Sequence, residues 1–135
     1  MNDGAALKSD KKAVLRNQNY YFKPSFSWSL ISTSVAAFRF KPVGQLFDVA
    51  GMSCFTSSNF YYLLALCNSN TAMLFLKVIA PTINYQCGDI ANIPVILDNT
   101  KIDAVEQIAT ENIEISRKDW DSSEMSWDFK KHPLI

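Results

Sequence analysis

The side chains of this chain that could perform chemistry are few, and they do not form a catalytic set. The single histidine is His132, which lies within a Lys-Lys-His-Pro string near the end of the sequence. A lone histidine in that setting argues against imidazole acid–base catalysis, a nucleophile–histidine pair and a histidine-containing zinc site. The four glycines lack the spacing that a nucleotide-binding loop requires. The sequence therefore predicts no catalytic residue and no metal ligand.

The remaining candidates are cations and amides that can bind phosphates or base edges. Arg39 and Lys41 share one face of a predicted strand, where a cation can contact a phosphate or a guanine; an ordinary solvated strand face is the alternative. Asn84 and Gln86 are amides suited to bidentate contact with adenine. For these two residues, a structural role in closing the turn after Pro81 is the alternative.

Hydroxyl groups provide further candidates. Residues 56–59 (Thr-Ser-Ser-Asn) precede a predicted helix, and the start of a helix is a suitable phosphate site; simple helix capping is the alternative. Ser32 ends a serine-rich strand whose hydroxyls could hydrogen-bond phosphates, although small polar residues are common on an open strand face.

Composition indicates one folded domain with an uneven charge distribution. Of the 135 residues, 48% are hydrophobic and 19% are charged, which suggests that other surfaces cover part of the chain. Residues 1–42 carry seven Lys/Arg against two acids, residues 43–99 one against three, and residues 100–135 five against eight. If the partner is a nucleic acid, the basic side should lie within the first 42 residues.

The three cysteines and the apolar residues 60–80 bear on the cellular compartment of the chain. Cys54, Cys67 and Cys87 are scattered in apolar surroundings, which predicts buried free thiols in a reducing environment. Residues 60–80 are apolar, but a polar break at 68–71 leaves two segments that are too short to cross a bilayer. We therefore expect a cytoplasmic chain with no membrane partner and no metal.

The elements that must position these side chains begin with β-structure. Residues 1–17 are predicted to be a flexible linker or lead-in. Alternation of apolar and polar residues predicts strands in SFSWSLIS and VAAFRFK, with Trp28 in the core, and further strands in QLFDV and MSCF are predicted after the turn at 42–44.

Helices follow these strands. Residues 60–67 and 71–80 are apolar all round, which predicts two buried helices packed as antiparallel neighbours. Thr100 and Asp103 resemble a capping box for a helix over 101–118. Ile102, Val105, Ala109 and Ile113 form the predicted apolar stripe of this helix, and Glu106 is among the residues expected to face water. The helix is expected to pack on a partner domain or helix, and the tail to dock by its aromatic residues, Trp120, Trp127 and Phe129. The predicted fold is α+β: a single domain over 18–135 with a small mixed or antiparallel sheet, a buried helical hairpin and a C-terminal helix.

Four strings in sequence order resemble one protein family: YYFKPSFSWSLIS, FRFKPVGQLFDVAG, YYLLALCNSNTAMLFLKVIAPTINYQCGDIANIPV and ENIEISRKDWDSSEMSWDFKKHPL. The chain is similar to the C-terminal target-recognition region of large adenine-specific DNA methyltransferases from BREX-type phage-exclusion systems. It more distantly resembles the specificity subunits of type I restriction systems.

The resemblance implies a non-catalytic DNA sequence-recognition domain, with loops at one end of a small sheet entering a groove of double-stranded DNA. It also implies a catalytic domain, with S-adenosylmethionine, elsewhere in a longer chain. The expected DNA-contacting residues are Arg39, Lys41, Lys23, Ser32, Ser57, Asn59, Asn84 and Gln86. The alternative is a protein–protein docking module of a larger defence complex, which abundant aromatic residues and low charge would suit.

Overall fold

The computed structural model describes residues 5–132 and residue 134. The predicted α+β fold is confirmed by the elements in these residues. In chain order they are α1 (Ala5–Ser9), a 3-10 turn (Gln18–Tyr20), β1 (Ser25–Ser29), β2 (Arg39–Lys41), β3 (Gly51–Cys54), α2 (Phe60–Cys67), α3 (Asn70–Ile79), α4 (Cys87–Ala91) and α5 (Ile102–Asp121).

The sheet is antiparallel, with β1 in the centre and β2 and β3 at the edges. Phe26 and Trp28 on β1 are 1% and 4% exposed, which confirms the predicted alternation and the core position of Trp28. The Trp28 indole Nε1 donates to the carbonyl oxygen of Tyr85 at 2.8 Å, so this buried polar atom is satisfied. The intervening serines point to the opposite face of the sheet.

Two predicted strands differ from the structure. Only Arg39–Lys41 of the 35–41 string forms a strand, and residues 45–49 form a loop instead of a strand. The backbone N–H of Phe22 donates to the carbonyl oxygen of Gln45, and the Lys41 ammonium donates to that of Leu46. Because these carbonyl groups bind Phe22, which precedes β1, and Lys41, which ends β2, the 45–49 segment does not extend the sheet.

The two apolar helices have the predicted bounds to within one residue, but their arrangement differs. They are bent by 66° relative to each other at the break and do not run antiparallel. Ser69 caps α3 by accepting a hydrogen bond from the N–H of Ala72, so the second helix begins immediately after the first ends. Burial of α3 all round was also predicted wrongly, since Leu74 and Val78 are 65% and 77% exposed.

Helix α2 lies between the sheet and α5. On one side the Phe60 ring packs against Phe26 and Phe40, with ring centroids 5.7 and 5.9 Å apart. On the other side α2 carries the main contacts of α5, whose predicted apolar stripe is buried at Ala109. Glu106 was expected to face water, but it is half-buried and accepts a hydrogen bond from the N–H of Tyr62 at 3.4 Å.

The ends of α5 also differ from the prediction. Thr100 donates its hydroxyl to Asp98, so the Thr100–Asp103 capping box does not form. Beyond α5, Trp127 is fully exposed and does not dock, whereas Ser126 is buried and donates to the Asp121 carboxylate at 2.7 Å.

Helix α1 has no buried residue, and residues 1–4 lie outside the described part of the chain, so the lead-in over 1–17 stays a prediction. Within the described residues no single helix is long and apolar enough to span a membrane; α2 and α3 reach the required length and composition only as a bent pair.

Candidate nucleic-acid interface

The outer face of the sheet, which points away from α2, carries a row of polar side chains. Ser27 on β1 lies opposite Arg39 on β2 and Ser53 on β3. Arg39 is exposed and the two serines are half-buried. Among the described residues, the Ser53 hydroxyl oxygen is buried without a hydrogen-bond partner. We call Arg39, Ser27 and Ser53 the outer row.

An aromatic cluster closes one end of this face. Tyr20 packs against Phe55 and Tyr21 against Phe47, with ring centroids 4.8 and 5.7 Å apart, and Phe47 contacts Phe55 at 5.2 Å. Ser25, which starts β1 at this end, is only 2% exposed. The polar part of the face that remains open therefore begins at the outer row and continues to the exposed Ser29.

The other two predicted cations lie beside this cluster. The Lys41 ammonium donates to the carbonyl oxygen of Leu46, so it fastens the loop after β2. The Lys23 ammonium lies 5.6 Å from the centre of the Tyr20 ring, in a cation–π contact at the surface. Of the three predicted cations, Arg39 is the one on the open part of the sheet.

Ser57 and Asn59 lie in the connection from β3 to α2, at the same end as Lys23. Asn59 precedes α2 with a left-handed backbone (φ 52°), and its side chain makes no capping hydrogen bond. The Thr56 hydroxyl donates to the carbonyl oxygen of Ser58, which closes the turn locally. Simple side-chain capping of α2 by this string is therefore not observed.

Ser32, Asn84 and Gln86 lie at the opposite end of the sheet. Ser32 donates its backbone N–H to Ile83 at 2.9 Å, and Asn84 forms an isolated bridge with Ile31. The N–H of Gln86 donates to the Asp89 carboxylate at 2.8 Å in the capping box of α4. These backbone contacts join the segment after α3 to the end of β1.

The structure does not bring the predicted residues together at one end of the sheet. Lys23, Lys41, Ser57 and Asn59 lie at the start of β1, whereas Ser32, Asn84 and Gln86 lie beyond its end. Ser32 lies seven residues after Ser25, which corresponds to at most roughly 23 Å, the length of a fully extended chain. The candidate interface therefore has two ends, with Arg39 between them.

Asn68 is a residue whose role sequence reasoning missed. Its side-chain oxygen accepts the N–H of Phe38 at 3.1 Å, and its side-chain nitrogen donates to the carbonyl oxygens of Phe38 and Leu64 at 2.9 and 3.1 Å. This amide fixes the backbone immediately before Arg39. Its position as a polar residue between two apolar helices was the available signal.

The cysteines are free thiols, and they differ in burial. Burial raises the pKa of the Cys67 thiol to about 12, with Cys54 nearby as a second cause. Burial, followed by the proximity of Cys87, also raises the pKa of the Cys54 thiol. Cys87 was predicted to be buried but is exposed, with its sulfur 3.5 Å from that of Met52. No three His, Cys, Asp or Glu side chains in the described residues are grouped to hold a metal.

The two sides of the molecule carry opposite charge. The strands and the chain before them include Lys23 and Arg39, which are exposed. Helix α5, on the far side of α2, carries six acidic against two basic residues. The uneven charge along the sequence therefore corresponds in the structure to a basic sheet layer and an acidic helix α5.

Comparison with known proteins gives the context for this arrangement. No family model matches the chain. The chain is 38% identical to the adenine-specific methyltransferase BrxX of Escherichia coli O9:H4 (strain HS), a match covering 99% of this chain and 11% of that protein. It is 34% identical to the adenine-specific methyltransferase PglX of Lacticaseibacillus casei (strain Zhang), covering 99% of this chain and 12% of that protein. The chain thus spans about a ninth of the length of these relatives, and it corresponds to a small part of a larger methyltransferase.

Proposed function

We propose that this segment is a non-catalytic DNA sequence-recognition module of a BREX-type adenine-specific methyltransferase. In this proposal the segment binds double-stranded DNA, and methyl transfer takes place in another part of a longer chain. DNA recognition of this kind would place the protein in the cytoplasm, with the DNA.

The observation that carries the proposal is the opposition of a polar, cation-bearing sheet face and an acidic helix. DNA phosphates attract cations and repel carboxylates, so a duplex would approach the outer row and not α5. Since α2 separates the two layers, the acids of α5 lie on the far side of a helix from the proposed contact.

The outer row contains the groups that such contact needs. Arg39 can contact a phosphate or donate two hydrogen bonds to a guanine edge, and the hydroxyl of the half-buried Ser27 can donate to a phosphate oxygen. The roughly 23 Å between the two ends is shorter than one turn of DNA, about 34 Å. A single duplex is therefore long enough to span both ends of the sheet.

The described residues do not fit S-adenosylmethionine. Gly44 lies in a loop, Gly51 starts β3 and Gly88 lies within α4, so they do not form a glycine-rich loop between a strand and a helix. We therefore place this cofactor in the part of the longer protein outside the segment.

Replacing Arg39 tests the proposal. In the full-length methyltransferase, Arg39→Ala should weaken binding to a duplex carrying the methylated motif by about 1–3 kcal/mol, or roughly 5- to 150-fold. Fluorescence anisotropy measures the affinity, and sequencing of modified bases measures methylation. Arg117→Ala is the matched control, because Arg117 is an exposed arginine on α5, paired with Asp121. Affinity and methylation that remain unchanged in Arg39→Ala would remove the outer row from the proposal.

A protein–protein docking module is the second candidate, favoured by the exposed apolar face of α3. If docking were the sole function of the segment, Arg39→Ala would change neither the affinity of the full-length enzyme for DNA nor the dependence of that affinity on salt. The two functions can coexist, because the outer row and α3 belong to different parts of the surface.

A further inference from the structure

Helix α3 is apolar on two opposite faces, and only one of them is covered. Ala72 and Leu76 are 0% and 1% exposed and pack into the core. Leu74, Phe75 and Val78 are 65%, 41% and 77% exposed. Together with Thr71 they have the i, i+3, i+4, i+7 spacing of one helical stripe, which points away from the buried face. We call Thr71, Leu74, Phe75 and Val78 the outer stripe.

Helix α2 shows how an apolar helix in this fold is covered by its neighbours. It too is apolar on all sides, and it is covered on both, by the sheet on one side and by α5 on the other. A helix that is apolar all round is normally buried on every side. Within the described residues, helix α3 is covered on the face that carries Ala72 and Leu76, and no second element covers the opposite face.

A groove beside the outer stripe carries one charge. Two adjoining cavities of about 430 and 190 Å³ lie between α3 and residues 34–37 and share Val35, Met73 and Lys77 in their walls. Lys77 is exposed, and no carboxylate in the described residues lies within ion-pair distance of it. The chain from Asn59 to Gly88 contains no acidic residue at all.

We infer that the outer stripe is the docking surface for an amphipathic helix from the part of the longer methyltransferase outside this segment. That helix would bury Leu74 and Val78 and place a carboxylate against Lys77. The inference depends on the homology to much longer proteins and not on the DNA-recognition proposal, so either can fail alone.

Two observations favour this occupant over a second copy of the segment. The relatives are so long that the match covers only 11% and 12% of them, so most of each protein is available to supply the second layer. A symmetric contact between two copies of α3 would bring no acid to Lys77, because neither α3 nor residues 34–37 contain one. The groove would then hold two cations without a counter-charge.

Photo-crosslinking in the full-length methyltransferase tests the inference. Val78 is replaced by p-benzoylphenylalanine, and Val49, a loop residue 75% exposed, is replaced in the matched control. After irradiation, mass spectrometry should find position 78 joined within one polypeptide to a peptide outside the segment that carries an acid at helical spacing. Position 49 should not give that product. No crosslink at position 78, or a crosslink to a second copy, to DNA or to another protein, would overturn the inference.

A charge exchange provides the second measurement. Lys77→Glu should lower the yield of the crosslink at position 78 by about fivefold or more, because the acid of the docked helix would then face a like charge. Changing that acid to lysine in the same protein should restore the yield. If Lys77→Glu leaves the crosslink yield unchanged, or if the second change does not restore the yield, the predicted ion pair is wrong. The proposed docked helix would then be overturned as well.

Discussion

At the scale of single residues, the position of Arg39 depends on Asn68. The Asn68 side chain binds both backbone polar groups of Phe38 and also the carbonyl oxygen of Leu64 at the end of α2. One amide therefore joins the edge strand β2 to the helix that supports the sheet. Since Arg39 directly follows Phe38, its direction on the outer face depends on Asn68, which lies thirty positions after Phe38 in the sequence.

We expect Asn68→Ala to destabilise the fold by about 1–3 kcal/mol, because Phe38 would lose partners for its backbone groups. Chemical denaturation followed by circular dichroism measures this difference. Asn112→Ala is the control, since Asn112 is an exposed asparagine on α5 with a single hydrogen bond to the carbonyl oxygen of Ile108. Its change should stay within about 0.5 kcal/mol. Equal changes in the two variants would contradict the role assigned to Asn68.

At the scale of elements, the sequence predicted those parts that local pattern determines. The helix bounds of α2 and α3 were predicted from the apolar runs and from Pro81 as a stop, whereas the cap at Ser69 is seen only in the structure. The central strand β1 follows from strict alternation. The stripe on α5 was predicted as well, because its spacing alone selects the buried face.

The segments that were predicted wrongly are those whose structure depends on contacts with distant parts of the chain. Residues 45–49 alternate like a strand, but their carbonyl oxygens bind Phe22 and Lys41, which come from other parts of the chain. Likewise, Trp127 looks like an anchor in the sequence, yet the small residue beside it, Ser126, is the one that is buried. The residues of the candidate interface could be named from their chemistry, but their division between two ends follows from strand register, which one sequence does not reveal.

Replacing two glycines tests the backbone geometry, because the two substitutions should change the stability of the fold in opposite directions. Gly44 has φ +99°, a conformation that L-residues rarely adopt, so Gly44→Ala should destabilise the fold by about 1–2 kcal/mol. Gly88 lies inside α4 with no atom within 4 Å of an added Cβ, so Gly88→Ala should stabilise it by about 0.5–1 kcal/mol. Thermal unfolding of both variants checks this, and a shift in the same direction for both would refute the backbone argument.

At the scale of the whole molecule, the layers separate the polar outer face of the sheet, where DNA binding is proposed, from the acidic helix α5. Screening limits charge effects between exposed groups to about 10 Å at ordinary salt. A new charge should therefore matter on the outer face of the sheet and should matter little on α5, on the far side of α2. We expect this difference between the two layers even though the chain as a whole has a formal net charge of zero.

Adding one negative charge to either layer tests this separation. In the full-length enzyme, Ser27→Asp should weaken DNA binding about tenfold at low salt, because the new carboxylate lies opposite Arg39 and neutralises it. Gln107→Glu adds the same charge on an exposed part of α5 and should leave the affinity unchanged. Anisotropy titrations at several salt concentrations measure both. Equal losses in the two variants would show that only total charge matters.

The packing of α5 on α2 also affects how the protein is made. Tyr62 on α2 contacts Glu106, forty-four residues later, so the ribosome completes α2 well before its covering helix emerges. At 5–20 residues per second, this delay lasts roughly 2–9 s. During that time the apolar side of α2 that α5 later covers is exposed to chaperones. A premature stop codon before α5 would leave that side permanently bare, so such truncated products should be cleared by proteases instead of accumulating as stable fragments.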